Sequence, residues 1–139
     1  MNSKKIGNIT EIEVALSLMK AGLTVLTPYG DNERYDLVVD CGKRFVRIQC
    51  KTSHSKDKGA SFIFSGRSTH RRDGKVTHCI YTAEEIDYFA TSFGGQCYLV
   101  PVAECKSDKI LRIAPPKNKQ TDGICWADDY ALEKVIRSW

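Results

Sequence analysis

The sequence lacks several features that would place it in a common class. No apolar run approaches the ~18 residues that a membrane-spanning helix needs. The first residues, MNSKKIGNITE, lack the apolar segment of a secretory signal, so we expect a cytoplasmic protein whose six cysteines are free thiols. No C-x-x-C pair is present and the three histidines lack zinc-finger spacing, so a zinc site is not indicated. Without repeats, low-complexity tracts or long linkers, the 139 residues are expected to form a single domain, 1–139.

Basic residues are concentrated in the middle of the chain. Between Lys43 and Lys75 there are ten basic residues and two acidic ones, whereas the rest of the chain has eleven basic and fifteen acidic residues. The net charge of the whole chain is +4. A strongly basic block within a mildly acidic chain indicates a polyanionic partner. A solvated, charged loop is the alternative that charge alone leaves open.

Apolar spacing predicts the element order α-β-β-β, a polar insert, and then α-β-β-α. A helix is expected over residues 9–21, because apolar residues recur there at helical spacing: Ile9, Ile12, Leu16 and Met19. Strands are expected at 24–27, 35–40, 45–52, 61–64, 76–81, 96–102 and 109–113. The strands 35–40 and 45–52 should form a hairpin, and 96–102 should be central. The segment GRSTHRRDGK, residues 66–75, is expected to be a mobile basic loop.

Two further helices are expected in the second half of the chain. Thr82 begins a Thr-Ala-Glu-Glu segment with capping-box spacing, followed by an apolar face made of Ile86, Phe89, Ala90 and Phe93. The last helix is expected over residues 128–138. The resulting fold class is α/β in the broad sense, a mixed α+β sheet with helices flanking its faces.

Three polar residues are expected to meet at one end of the predicted hairpin. Side chains alternate along a strand, so Gln49 and Lys51 share a face and lie about 7 Å apart. Antiparallel pairing would place Asp36, near the start of the preceding strand, beside them. A carboxylate, an amide oxygen and an ammonium would suit phosphodiester hydrolysis with a hard divalent cation. The alternative is that Asp36 is a turn residue and the other two simply face solvent.

Several segments carry a family resemblance. GNITE in the first helix, PYGDNERYD and RIQCKT together resemble the PD-(D/E)XK nuclease superfamily. They are most similar to its group I intron-associated endonucleases, which use Gln in place of the usual acid before X-Lys. YTAEEIDYFA and CYLVP are also similar, so the resemblance spans roughly residues 5–105. It implies a restriction-endonuclease-like core in the order α-β-β-β-α-β.

The resemblance also implies a role for each motif residue. Asp36 would be the principal metal ligand, Gln49 a neutral oxygen ligand and Lys51 the motif lysine. Glu11 would be the first-helix acid that completes the site, and the main-chain carbonyl of Cys50 would also face the metal. The implied cofactor is Mg²⁺, with Mn²⁺ as the alternative. Because Gln49 is neutral, metal affinity should fall unless Glu11 compensates, and an inactive site is the alternative.

Glu11 competes with Glu13 for the role of helix acid. Glu11 shares a helical face with Ala15 and Leu18, so it should point toward the sheet, whereas Glu13 lies on a more polar face. Helix capping is the alternative for both acids. Among basic residues, those expected to contact the DNA backbone are Arg47, Lys56, Lys58, Arg67, Arg71 and Arg72.

Together these observations predict a Mg²⁺-dependent DNA endonuclease, of homing type, that cuts duplex DNA at a specific site. One small domain would hold one active site, so double-strand cleavage predicts a homodimer or homotetramer. A Holliday-junction resolvase of the same superfamily, acting on branched DNA, is the first alternative. A catalytically inactive DNA-binding module and a restriction-type nuclease are the others.

Overall fold

The computed structural model describes all residues, 1–139, and has a mixed α+β fold. One long helix, α1 (Ser3–Lys20), comes first and is followed by ten short strands. The strands are β1 (Thr24–Leu26), β2 (Leu37–Asp40), β3 (Phe45–Cys50), β4 (His54–Lys56), β5 (Ser61–Ser65), β6 (Arg67–Arg72), β7 (Lys75–Ile80), β8 (Tyr88–Phe93), β9 (Gln96–Pro101) and β10 (Asp108–Arg112). Short helical turns surround a four-residue helix, α2 (Leu132–Val135), at the C-terminus. No helix has both the length and the apolar character needed to cross a membrane.

Five strands form the central sheet, in the order β1-β2-β3-β8-β9. All neighbours are antiparallel except β3 and β8, which run parallel. The predicted hairpin is confirmed, with Leu37 opposite Ile48. A second sheet, ordered β10-β5-β4, and a separate two-stranded ribbon, β6-β7, complete the strands.

The central sheet lies between two apolar layers, because its side chains alternate between its faces. On one face, Val14 and Leu18 of α1 pack with Val39, Ile48 and other fully buried residues. On the other face, the second sheet supplies phenylalanines that pack with residues of β8 and β9. The central sheet is therefore packed on both faces, and this packing sets the positions of β2 and β3.

Helix α1 is confirmed, but its apolar stripe is not its buried face. The side chain of Asn2 caps its first turn by accepting from the Lys5 N–H at 2.9 Å, and Gly22, at φ +87°, follows its end. The residues that face the sheet are Thr10, Val14 and Leu18. The stripe that predicted the helix is exposed: Ile9, Ile12, Leu16 and Met19. Apolar residues thus occupy two opposite faces of α1, and the packing of the fold selects one of them.

Two sequence expectations about the middle of the chain are wrong. Residues 66–75 do not form a mobile loop, because β6 and β7 pair in a regular antiparallel register. Their turn, Asp73-Gly74, has positive φ at both residues, as a tight hairpin turn requires. The helix expected after Thr82 is also absent. Thr82 and Glu85 do make the capping contacts, but one turn later the chain becomes β8.

The remaining differences concern the C-terminal third. Strand β9 is confirmed but lies at the edge of the sheet, not at its centre. Its continuous apolar run is explained by the layers that cover both of its faces. The expected last helix is reduced to α2 and the turns beside it. All six cysteines are free, as expected.

Candidate active site

Asp36 lies just before β2, where the hairpin brings it against the end of β3. Its N–H donates to the Ile48 carbonyl at 2.8 Å, and its carboxylate accepts the Cys50 N–H at 2.9 Å. Burial raises the pKa of Asp36, while the Cys50 N–H and the charge of Lys51 oppose this shift. The expected meeting of Asp36 with the end of the third strand is therefore present in the fold.

Glu11 approaches the same place from α1. Burial raises the pKa of Glu11, and the negative charge of Asp36 raises it further. Both carboxyls line a cavity of about 250 Å³, together with Asp31, Glu33 and Tyr35. The cavity wall thus carries four acids and no base. Two carboxyls that each resist ionisation provide a favourable position for a cation.

Gln49 and Cys50, at the end of β3, carry uncharged oxygens but do not line the acidic cavity. The Gln49 Nε2 donates to the Cys50 carbonyl oxygen at 3.4 Å, so the amide and the carbonyl adjoin. No three His, Cys, Asp or Glu side chains cluster at metal-binding spacing. Glu11 and Asp36 supply only two carboxylates, which is the number that Mg²⁺ commonly takes from a protein, with waters and phosphate completing its shell. The available donors are therefore hard oxygens that fit Mg²⁺ or Mn²⁺.

Lys51 is half-buried beside these acids. Its Nζ donates to the Arg67 carbonyl at 2.8 Å and lies 4.9 Å from the centre of the Tyr81 ring. Burial lowers the pKa of Lys51, and the Asp36 charge opposes this shift. A lysine so placed remains close to the carboxylates but is partly stripped of water.

Arg34, two residues before Asp36 in the sequence, and Tyr81 form a further part of the site. The Arg34 guanidinium stacks 3.8 Å above the centre of the Tyr81 ring and pairs with Glu85 at 2.9 Å. It also donates to the Ser68 hydroxyl and the Ile80 carbonyl, both at 2.8 Å. The sequence signal was present, since Arg34 and Tyr81 lie within the two quoted segments PYGDNERYD and YTAEEIDYFA.

The structure separates Glu11 from its competitor Glu13. Glu13 accepts a hydrogen bond from the Ser92 hydroxyl and is not part of the acidic cavity. The capping alternative is wrong for both acids, because α1 begins at Ser3 and its cap is Asn2. Of the two glutamates, Glu11 is the one that shares the cavity with Asp36.

The predicted DNA-contacting residues have different surroundings. The Arg47 guanidinium binds Asp87 and the carbonyls of Ala83 and Glu84, so a phosphate contact by Arg47 would require this network to open. Burial would raise the pKa of Asp87, but the hydrogen bonds from Arg47 hold it below its ordinary value. The other predicted contacts lie on β4, on the ribbon or beside them: Lys56, Lys58, Arg67, Arg71 and Arg72. Arg67 is half-buried and 3.9 Å from Asp108, whereas the others are exposed.

Comparisons with known proteins bear on this geometry. The sequence matches the family model for PD-(D/E)XK endonucleases over residues 1–133. Among solved structures, the chain is similar to a bacterial homing endonuclease, I-Ssp6803I, with a TM-score of 0.80 and 20% identity over 99% of this chain and 95% of that chain. No curated protein sequence matches the chain significantly. The restriction-endonuclease-like core expected from the sequence is confirmed. Its expected second helix is absent, and a second sheet instead of a helix covers the other face of the central sheet.

Proposed function

Because the chain belongs to the PD-(D/E)XK endonuclease family, we propose that it is a Mg²⁺-dependent DNA endonuclease that cuts duplex DNA at a specific site. The observation that carries this proposal is the acidic cavity in which Glu11 and Asp36 both resist ionisation, with Lys51 beside them. The homing type rests on the likeness of the fold to I-Ssp6803I and on Gln49 at the second motif position. The six free thiols agree with action in the cytoplasm.

Four groups would hold the metal: the carboxylates of Glu11 and Asp36, the Gln49 side-chain oxygen and the Cys50 main-chain carbonyl. When bound, Mg²⁺ would polarise the scissile phosphate and lower the pKa of a coordinated water. The Cys50 N–H fixes the orientation of the Asp36 carboxylate through its 2.9 Å hydrogen bond. This hydrogen bond would hold the proposed principal ligand in one orientation before a metal binds.

Lys51 would act on the attacking water or on a phosphate oxygen. Its ammonium already donates to the Arg67 carbonyl in a half-buried position. Exchanging that carbonyl for a water or phosphate oxygen would keep the hydrogen bond and add attraction to the charge that develops in the transition state. Asp36 favours the charged form of Lys51, which this role requires.

The basic residues outside the site would bind the DNA backbone. Lys56, Lys58, Arg71 and Arg72 present their charges to solvent, and Arg67 lies at the root of the ribbon. Such contacts give affinity that decreases with salt. Arg47 remains a prediction in this role, since its guanidinium is engaged within the fold.

We further propose that the chain assembles as a homodimer or homotetramer. Each chain carries one set of motif residues, whereas a double-strand break needs two hydrolyses. Helix α1 is apolar on the face opposite its buried one, where Ile12 is 67% and Met19 61% exposed. A helix that is apolar on both sides is typical of one that is buried on both sides. A second copy of the chain, packed against this stripe, would bury these exposed apolar side chains.

Incubation with DNA substrates tests the proposed activity. The wild type and Lys51→Ala would be given a supercoiled plasmid pool with a randomised insert, linear duplex and a four-way junction, with Mg²⁺, Mn²⁺ or EDTA. We expect metal-dependent cutting of plasmid and linear duplex that is lost in Lys51→Ala. The matched control is Lys134→Ala, an exposed lysine that pairs only with neighbouring aspartates at the C-terminus. It should cut like the wild type.

The same experiment distinguishes the other candidates. Preferential cutting of the four-way junction would identify a resolvase instead. DNA that is retarded in gels but uncut with every metal would identify an inactive binding module.

A further inference from the structure

The β6–β7 ribbon stands apart from the rest of the fold. Its strands pair only with each other and belong to neither sheet. From Thr69 to His78 every residue is exposed. Six residues per strand give a length of about 20 Å. An isolated two-stranded hairpin is at best marginally stable in water, so a ribbon with no apolar cover indicates a surface that another molecule contacts.

The root of the ribbon is tied to the candidate active site. Lys51 donates to the Arg67 carbonyl at the start of β6. Arg34 bridges both strands, through the Ser68 hydroxyl on β6 and the Ile80 carbonyl on β7. DNA whose phosphate reaches Lys51 must therefore pass beside the ribbon.

The register divides the ribbon into two faces, because directly opposed residues of antiparallel strands share a face. Ser68, which contacts Arg34, lies opposite Cys79. Continuing outward in steps of two, this face carries His70 opposite Thr77, and Arg72 opposite Lys75. We name these four outer residues the reading face.

The other face, which we name the back face, differs in composition. Thr69 lies opposite His78, and their side chains contact each other at 3.3 Å. Arg71 lies opposite Val76, which is 52% exposed. The reading face thus holds two basic residues and two further polar side chains. It is the face of the ribbon on which Ser68 contacts Arg34.

We propose that the reading face enters the DNA major groove and reads base edges. The major groove, about 12 Å wide, admits a two-stranded ribbon. Arg72 matches the two acceptors of guanine, and Thr77 can donate and accept. His70, whose Nε2 lies 3.4 Å from the Ser68 hydroxyl, can use its Nδ1. This inference rests on the proposed function and changes the role of Arg72 from a backbone contact to a specificity determinant, while Arg71 stays a backbone contact.

Selection from a randomised pool of linear duplexes tests the inference. Wild type, Arg72→Ala, Arg72→Lys and the matched control Arg71→Ala would each select bound duplexes in EDTA, and cut ends would be sequenced separately in Mg²⁺. We expect the wild type to prefer a defined base at positions where both Arg72 variants lose about 10- to 100-fold preference. Arg72→Lys should keep the salt dependence of binding, since it retains the charge. Arg71→Ala should weaken binding uniformly and keep the sequence preference.

Each outcome separates the reading face from the proposed cleavage. Selection that depends on Arg72 without any cutting would support the reading face and contradict the nuclease function. Cutting whose sequence preference is the same in the wild type and both Arg72 variants would overturn the reading face alone. Absence of both binding and cutting by the wild type would overturn both.

Discussion

Burial has opposite effects on the acids and the lysine of the candidate site, and both effects matter for the chemistry. It raises the pKa of Asp36 and Glu11 and lowers the pKa of Lys51. The attraction between Asp36 and Lys51 and the hydrogen bond from the Cys50 N–H favour the charged form of Asp36, whereas Asp36 and Glu11 repel each other. Charged carboxylates in a partly buried site lower the stability of the fold, and a bound cation would offset this cost.

The pH dependence of cleavage follows from the two raised carboxyl pKa values. At sub-saturating Mg²⁺, both Glu11 and Asp36 must lose a proton, so the acid limb should be shifted upward from the pH at which ordinary carboxyls titrate and approach a slope of two. Glu11→Gln should retain a limb with a slope of one. Rates measured from acid to neutral pH check this. A wild-type limb with a slope of one would show that only one of the two carboxyls titrates in the site.

Asp36→Asn should abolish cleavage and stabilise the fold. The folded state binds the Asp36 proton more tightly than the unfolded state, so its ionisation costs stability as the pH rises above 3.8. The substitution removes this cost, and Asn can still accept the Cys50 N–H. We expect Tm at neutral pH to rise by roughly 2–5 °C, with a gain that shrinks toward acid pH. Thermal unfolding of Asp31→Asn, at an exposed acid of the same cavity, is the control and should show little change.

At the scale of elements, short-range patterns predicted the part of the fold that positions the motif. The β2–β3 hairpin was predictable because Val46 and Ile48 alternate with polar residues. The antiparallel pairing of the two strands places Asp36 beside Cys50. The β8 strand was not, because Thr82 and Glu85 make true capping contacts and only the parallel pairing with β3 turns the next residues into a strand. Local periodicity carries no information about pairing with β3, which is distant in the sequence.

The ribbon and the site residues Arg34 and Tyr81 also depend on contacts that local sequence patterns do not predict. The Asp73-Gly74 turn is a hairpin signal, but the flanking strands are basic rather than alternately apolar, so they resembled a loop. The stacking of Arg34 on Tyr81 joins residues 47 positions apart and depends on the folded chain. The sequence therefore indicated the motif residues but not the contacts that link them to the ribbon.

The ribbon and the β2–β3 hairpin should respond differently to the same substitution in their turns. Gly74 (φ +74°) and Gly42 (φ +82°) each occupy a conformation that costs an L-residue about 1–2 kcal/mol. Gly42→Ala should lower the global Tm, because its hairpin belongs to the core sheet. Gly74→Ala should leave Tm unchanged and speed amide exchange in β6 and β7 alone. Equal losses of Tm would show that the ribbon folds as part of the core.

At the scale of the whole molecule, the exposed stripe of α1 is the feature that one isolated chain does not explain. Val14 and Leu18 use one face of α1 for the core, while Leu16, 49% exposed, belongs to the other. The cost of leaving this apolar surface in water is removed if two chains share it. Assembly would also bring two active sites to one DNA duplex.

Leu16→Asp should dissociate the assembly and separate nicking from double-strand cleavage. A charge on the stripe would be buried without a partner in the assembled state. Sedimentation should show a lower mass, and supercoiled plasmid should be nicked without being linearised. The control is Ile110→Asp, which changes a similarly exposed isoleucine on β10, outside the stripe. A wild type that sediments as a monomer, or a Leu16→Asp variant that still linearises plasmid, would refute the role of α1.

The most direct test of the central claim, that Glu11, Asp36 and Gln49 hold one catalytic metal, is a Mg²⁺ titration of plasmid cleavage. Gln49→Glu adds a negative ligand, so the half-saturating Mg²⁺ concentration should fall by on the order of 10-fold. Glu11→Gln should raise it by a similar factor, and Glu13→Gln, outside the cavity, should leave it unchanged. Titration curves for Gln49→Glu and Glu11→Gln that superimpose on the wild-type curve would contradict the account.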